Sequence, residues 1–466
     1  MPPTADKHRA LIADLIDVVG AAHVLTALDE RAGYELDWTR RYGGESTAVV
    51  RPATSAHVAA VLRACTRHDA VVVTQGGNTG LVGGGVPHNG QSSDRSTVVL
   101  STRRIDAIGD PDLDAMQITV GAGATLAAVQ ARAAAVGLDL PVDFAARDSA
   151  TIGGAVATNA GGSRVVRYGT MRHHVAGVRA VLANGAMVGS LAGLPKETAG
   201  VHWPSLLCGS EGTLAVITEV RLRLVPLLDH RTTALVTLAD LDRAARLAGH
   251  LRRAAPSIDQ IELIQPEAMQ LVTEHLGRTP PLAVPDGGTF VLVESANRRD
   301  PTDELGAAIA DTDVIDAVVA TDPAPSQQLL DLRDRITEAL AAAATATGTP
   351  VFKLDVAVPL RHLGQLVDVA RRAANADGAR LIPFGHVAEG NVHLNYLEAT
   401  DTETIADTVL PAVADVGGTI SAEHGIGVAK ARWLPLIRTT DELDAQAALR
   451  RALDPAGMLN PGVLTP

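Results

Sequence analysis

Six glycines fall within thirteen residues, Gln75-Gly76-Gly77-Asn78-Thr79-Gly80-Leu81-Val82-Gly83-Gly84-Gly85-Val86-Pro87, directly after the apolar, strand-like stretch Ala70–Val73. Glycine takes up positive φ without steric cost and has no Cβ to hold a ligand away. Such a loop can therefore bring bare backbone N–H groups against a diphosphate. A nucleotide cofactor is the first expectation, and a wide turn between strands Ala70–Thr74 and Thr97–Ser101 is the structural alternative. The spacing fits neither G-x-G-x-x-G nor G-x-x-x-x-G-K-[ST], and His88–Asp94 reads as a polar loop rather than a helix start. Both points argue against a Rossmann or P-loop site.

A second segment, Thr151-Ile152-Gly153-Gly154-Ala155-Val156-Ala157-Thr158-Asn159-Ala160-Gly161-Gly162, mixes small residues with hydrogen-bonding ones. Small residues admit a flat ring or a ribose, and Thr158 and Asn159 offer donors and acceptors, which strengthens the cofactor reading. The chain has 466 residues, enough for two or more domains, and 46% hydrophobic content fills a core in each. A net charge of -13 argues against nucleic acid or an anionic membrane surface and for a small-molecule partner. Cys65 and Cys208 are the only cysteines, too few for a disulfide framework, a Cys-x-x-Cys zinc site or an iron–sulfur ligand set; both read as buried thiols. With no signal-like N-terminus and no run of about twenty apolar residues, the chain reads as soluble and cytoplasmic, without a membrane span.

Helical spacing of Leu11, Leu15, Val18 and Val19 predicts an N-terminal helix over His8–Leu28, within a segment 1–43. Strands are expected at Ala48–Arg51, Val98–Ser101, Gln117–Val120, Val175–Leu182 and Thr213–Leu224. Helices are expected from Pro52 to Cys65 and at Leu126–Val136, giving a first domain over 44–227. A second domain, 228–450, pairs strand-like Ala234–Leu238, Ile258–Leu263, Val351–Val358 and Arg380–Ile382 with helices at Asp240–Ala255 and Leu360–Asp377. This is an α+β pattern around a mainly antiparallel sheet. Residues 451–466 carry no regular periodicity and are expected to be held by docking onto the first domain.

The glycine loop, Pro141-Val142-Asp143, Ile152–Gly162, Arg167-Tyr168-Gly169 and Gly209-Ser210-Glu211-Gly212-Thr213-Leu214 resemble, in that order, the flavin domain of the vanillyl-alcohol oxidase superfamily. Gly385-His386, Gly390-Asn391-Val392-His393, Ser421-Ala422-Glu423-His424-Gly425-Ile426-Gly427 and Asp454-Pro455 with Asn460-Pro461-Gly462 resemble its D-2-hydroxyglutarate and D-lactate dehydrogenase branch. The resemblance covers nearly the whole chain. It implies an FAD-binding domain of two α+β subdomains and an α+β cap domain. FAD would be held by Gly76, Gly77, Asn78, Thr79, Gly80, Leu81, Pro141, Ser149, Thr151, Gly154, Thr158, Asn159, Gly161, Gly162, Ile217 and Asn460. Asn78 stands where covalently flavinylated relatives carry histidine, so the flavin is expected to be non-covalent.

In the second domain, His386 and His393 are seven residues apart with Glu389-Gly390 between them. An uninterrupted strand would put them on opposite faces, whereas a turn at the glycine can bring both imidazoles together. With Glu423 they make two imidazoles and a carboxylate with an open position, a set suited to catalytic zinc and nearly as well to manganese. The resemblance implies that these three ligate a divalent metal; an isolated histidine pair is otherwise more often structural. His424, next to Glu423, is assigned as general base. Arg333 and Thr337, four apart in a helical stretch, can share a face and grip one carboxylate, with a solvated helix face as the alternative. Lys353 faces away from Phe352 and Leu354, and Asn395 shares a face with His393 if Val392–Tyr396 is a strand. By the resemblance Arg333, Thr337, Lys353, Asn395 and His424 bind substrate. The second fixed cation, Lys353, favours a dicarboxylic D-2-hydroxy acid over lactate. Two stretches depart from the family pattern: Ala388-Glu389 in place of Gly-Asp, and Thr198–Trp203.

The expected activity is FAD-dependent oxidation of a D-2-hydroxy acid such as D-2-hydroxyglutarate to the 2-oxo acid, with hydride passing to flavin N5. Rival readings are a D-lactate or glycolate dehydrogenase, an alkylglycerone-phosphate synthase-type transferase, a flavin-free metal hydrolase and a non-catalytic flavin module. Without iron–sulfur cysteines the electrons must leave for an external acceptor, an electron-transfer flavoprotein or a quinone. The oligomeric state is open, a homodimer included.

Overall fold

A computed structural model describes residues 3–88 and 95–465, so most of the expected polar loop, from Asn89 to Asp94, lies outside the described residues. The chain forms two compact units. One comprises Met1–Ala160, Thr170–Leu227 and Glu423–Pro466, the other Gly161–Gly169 and Leu228–Ala422.

Among the described residues the first unit holds two four-stranded sheets and a two-stranded one that pairs Leu138–Asp139 with Val225–Pro226. One four-stranded sheet orders its strands as Val24–Leu25, Ala48–Val50, Thr97–Ser101 and Val71–Gln75, the last three parallel. Val71, Val72 and Val73 are all buried, as both faces of a parallel strand must be. The helix Ser55–Arg67 starts at Thr54, whose hydroxyl accepts from the His57 N–H at 3.1 Å, and it buries Val58, Val61, Leu62 and Cys65 along one stripe. The N-terminal helix runs Pro3–Val19 and stops well short of Leu28. Gly20 lies at φ 85, and a short 3₁₀ turn, the two-residue strand Val24–Leu25 and a separate helix Leu28–Glu35 follow. The helical spacing of Leu11 to Val19 was real, but the glycine after it ends the helix. The other four-stranded sheet is antiparallel, ordered Gln117–Gly121, Val216–Arg223, Val175–Val181, Met187–Val188, and packs Ile118, Val120, Val178, Val220 and Leu222 into a second core. Cys65 and Cys208 are unpaired and buried, and burial pushes their thiols up to about 12 and about 11.

The second unit is a seven-stranded antiparallel sheet, ordered Asp316–Ala320, His230–Leu238, Thr289–Asn297, Ile258–Ile264, Arg380–His386, Asn391–Leu397, Phe352–Ala357. Residues directly across from one another share a face. The pairs Glu262↔His386, Phe384↔His393, Ile382↔Asn395, Asp355↔His393 and Lys353↔Asn395 therefore line one side of the four strands from Ile258–Ile264 to Phe352–Ala357. Helices Pro266–Leu276, Pro323–Asp334 and Ile336–Thr347 join Ile264, Leu292, Ile382 and Phe384 in one core over that side. The stretch expected to carry Arg333 and Thr337 on one helix face is in fact two helices, with Arg335 (φ −92, ψ 5) at the junction. The kink is one residue long, since the Arg335 N–H still donates to Asp331 O at 3.1 Å and Ala339 N–H to Arg335 O at 3.0 Å. It lets Leu329 and Leu332 before it, and Ile336 and Leu340 after it, all reach the core.

Candidate functional site

Each unit carries one half of the expected chemistry. In the first, the buried strand Val71–Gln75 ends in the glycine loop, and Gln75 closes the base of that loop by donating to Gly85 O at 2.7 Å and Tyr34 O at 2.9 Å. Gly77 lies so close to the segment before the Ile152–Ala157 helix that a Cβ there would stand 2.0 Å from Ser149 O; at Gly76 it would stand 2.3 Å from Thr151 Oγ1. Thr151 Oγ1 is buried without a hydrogen-bond partner. A cradle that excludes any Cβ, floored by an unsatisfied hydroxyl, fits the phosphate and ribose of a dinucleotide.

Other expected flavin residues are engaged with the chain itself. Asn78, at φ 56, donates to Leu36 O at 2.9 Å, and Asn159 Oδ1 accepts from Thr170 Oγ1 and the Arg172 N–H, both at 3.0 Å. Thr158 Oγ1 donates to Gly154 O at 3.1 Å, while Pro141 and Ile217 are buried and Gly80 and Ser149 exposed. Asn460 accepts from the Thr74 N–H at 2.8 Å and donates to Glu211 O at 2.8 Å and Gly84 O at 3.2 Å, so it pins the return segment to both ends of the glycine loop. Gly161 and Gly162 lie in the short segment assigned to the second unit. Glu423 and His424 open the return segment of the first unit, and the turn after them is held by Glu211, whose carboxylate accepts from the Ile426 and Gly427 N–H groups at 2.8 Å each.

In the second unit His386 ends one strand, Val387–Glu389 turns, Gly390 takes φ 69, and His393 returns on the adjacent strand. The glycine is required twice over, because a Cβ at that position would also lie 1.9 Å from Val358 O. The turn brings the two imidazoles together with ring centroids 5.2 Å apart and planes at 89°. Each ring is oriented from behind by a carboxylate. His386 Nδ1 lies 2.6 Å from Glu262 Oε1, and His393 Nδ1 lies 3.0 Å from Asp355 Oδ1, which also accepts from Asn391 Nδ2 at 2.8 Å. Burial by itself would raise the Glu262 carboxyl, but His386 and Arg333 overcome it and hold the group below the ordinary carboxylate range. An ionised carboxylate only accepts, so in the His386 ring Nδ1 carries the proton and Nε2 becomes the basic nitrogen. That is the arrangement metal-binding histidines use, and it fits a divalent ion.

Arg333 donates from Nε to Glu262 Oε2 at 2.5 Å and stacks 4.7 Å above the Phe384 ring, while Thr337 is half-buried in the first turn of the next helix. Lys353 is also half-buried, and burial lowers its pKa. Asn395 is 2% exposed and donates to Ile382 O and His393 O, both at 3.1 Å. Sequence reasoning missed Glu262, Asp355, Asn391 and Glu211. The signal was present for two of them: Glu262 interrupts the apolar strand Ile258–Ile264, and Asp355 lies two positions from Lys353 and so on the same face.

The chain matches the FAD binding domain over residues 46–189 and the C-terminal domain of FAD linked oxidases over 227–464. It is 32% identical to D-2-hydroxyglutarate dehydrogenase, mitochondrial, of Bos taurus, covering 97% of this chain and 82% of that one. It is 33% identical to D-2-hydroxyglutarate dehydrogenase of Xanthomonas citri pv. viticola, covering 97% and 96%. A relative from Schizosaccharomyces pombe, named for D-lactate dehydrogenase of mitochondria, is 29% identical over 92% of this chain and 83% of its own. The expectation of a cytoplasmic protein is corrected here, since relatives matched along nearly the whole chain are named as mitochondrial. Among solved structures, 4-ethylphenol oxidase from Gulosibacter chungangensis superposes with a TM-score of 0.79 over 99% of this chain and 97% of that one. Alkyldihydroxyacetonephosphate synthase superposes with 0.73 over 97% and 85%. At 16% and 15% identity both show the fold alone, which is of the vanillyl-alcohol oxidase type. The chain belongs to the FAD-linked oxidase family, in the branch of FAD-dependent D-2-hydroxyacid dehydrogenases that includes D-2-hydroxyglutarate and D-lactate dehydrogenases.

Proposed function

We propose that this chain oxidises a dicarboxylic D-2-hydroxy acid, D-2-hydroxyglutarate or one like it, to the 2-oxo acid, using non-covalent FAD and a divalent ion, zinc or manganese, held by His386, His393 and Glu423. The observation that carries the metal assignment is the imidazole pair on adjacent strands, each Nδ1 fixed by its own carboxylate. A pair that served packing alone would need neither Glu262 nor Asp355 at the cost of burying them. When bound, FAD supplies a hydride acceptor at N5 and the ion a Lewis acid that acidifies the 2-hydroxyl. The residues do the rest: Arg333, Thr337, Lys353 and Asn395 bind the substrate, the two cations taking its carboxylates, and His424 takes the hydroxyl proton.

Dicarboxylate preference is supported by Lys353. Its register opposite Asn395 puts it on the face that carries His393, and a half-buried ammonium favours a fixed anionic partner. The Asn78 amide is no nucleophile toward flavin, which supports the non-covalent reading. Both cysteines are buried thiols, which supports transfer of electrons to an external acceptor, a flavoprotein or a quinone.

The deciding experiment is anaerobic mixing of the purified flavoprotein with D-2-hydroxyglutarate, D-malate, D-lactate and glycolate, following bleaching of the flavin band. Dicarboxylates are expected to bleach it fastest, and chelator treatment to abolish bleaching while flavin stays bound. Bleaching by lactate alone refutes the role given to Lys353, and bleaching indifferent to chelator refutes the metal. Denaturing the same preparation is expected to release all its flavin. His424→Ala is expected to slow bleaching by about 10²- to 10⁴-fold, and near-normal rates would remove it as the base.

A further inference from the structure

We propose that Glu262 is a positioning residue that joins two parts of the substrate grip. One carboxylate oxygen fixes the imidazole that takes the metal, and the other fixes the guanidinium that takes a substrate carboxylate. This rests on the roles proposed above for His386 and Arg333. Glu262 is completely buried in the strand Ile258–Ile264, directly across from His386. Oε1 meets His386 Nδ1 at 2.6 Å and Oε2 meets Arg333 Nε at 2.5 Å. With one oxygen on the imidazole N–H and the other on a guanidinium, the carboxylate is fixed in position and in rotation.

The contacts close into a ring. Arg333 stacks on Phe384 at 4.7 Å, Phe384 meets the edge of His393 at 5.1 Å, and His393 meets His386 at 5.2 Å. Arg333 therefore cannot turn about its own axis without losing either the Nε bond or the ring face, and a guanidinium so held presents its terminal nitrogens in one orientation only. A displacement of either donor is carried to the other through one planar group. A merely stabilising ion pair would leave ligand binding intact once the fold is intact, and that difference is measurable.

The test uses the full chain loaded with FAD and carrying Glu262→Gln. Glutamine offers one acceptor oxygen where glutamate offers two, so it can serve the imidazole or the guanidinium but not both. Zinc affinity is read by competition with a chromogenic chelator. Affinity for 2-oxoglutarate is read from the flavin spectrum at zinc concentrations that saturate each protein, and flavin content with circular dichroism reports the fold. The expected result is a loss of about 10- to 100-fold in zinc affinity together with a loss of about 10-fold in 2-oxoglutarate affinity, at unchanged flavin content. Loss of only one affinity, or of neither, overturns the coupling. A wild-type protein that binds no zinc, or whose flavin ignores 2-oxoglutarate, overturns the metal or substrate reading itself, and this proposal with it. Should Glu262→Gln fail to retain FAD, Glu262→Asp takes its place. It keeps the charge but falls one methylene short of both donors, and the same paired loss is expected; a single loss or none again overturns the coupling.

Discussion

Glu211 shows how one side chain can hold the loop that follows Glu423 and His424. Burial pushes its carboxyl up to about 7, although the Ile426 and Gly427 N–H groups and Lys430 pull the other way. A carboxyl raised in the folded state stabilises fully below its ordinary value of 4.5, and that contribution is lost as pH rises through about 7. Resistance to urea is therefore expected to fall between about pH 5 and pH 8, by at most about 3 kcal/mol from this group. Glu211→Gln is expected to remove its share of that slope and leave the share of Glu389, which burial also pushes up to about 7, and an unchanged slope would remove Glu211 as a source. Residues of this kind were the least legible in the sequence. Glu211 was visible as part of a motif, but its partners lie some two hundred positions away and are backbone amides, which leave no mark in side-chain identity. Glu262 and Asp355 were hidden for a related reason: a carboxylate in an apolar strand announces a partner, but only register says which one.

The hairpin from Arg380 to Leu397 is the element on which the metal reading turns, and here the sequence was more generous. His-x₆-His with a glycine four residues after the first histidine already required a turn, and the strand, turn and strand are as expected. Gly390→Ala is expected to cost at least about 1–2 kcal/mol from the left-handed backbone alone, with more from the approach to Val358 O. It should lower zinc affinity more than flavin content, and retention of wild-type zinc affinity would show that the turn does not set the imidazoles. Helix ends fared worse. Apolar spacing at Leu329, Leu332, Ile336 and Leu340 ran smoothly through Arg335 and hid the kink, because a one-residue break keeps the same stripe facing the core. At the N-terminal helix the opposite happened: the glycine that ends it was plain to see, and the apolar residues beyond it belong to a strand and a second helix.

At the scale of the molecule, neither compact unit is one stretch of chain. The glycine loop is completed by Asn460, and the Glu211 carboxylate by Ile426 and Gly427, all from the return segment. A chain stopped after Ala422 is accordingly expected to lose FAD even though every residue of the 46–189 match remains. Stoichiometric flavin in that shortened protein would show the return segment to be dispensable. The bridge of Leu459 to Val72 has a further consequence in time rather than space. A ribosome making this protein releases the strand Val71–Gln75 early and its neighbour Leu459 almost four hundred residues later. The cofactor-binding half must wait, partly built, while the entire second unit is synthesised and free to fold, which makes flavin capture one of the last events of its maturation.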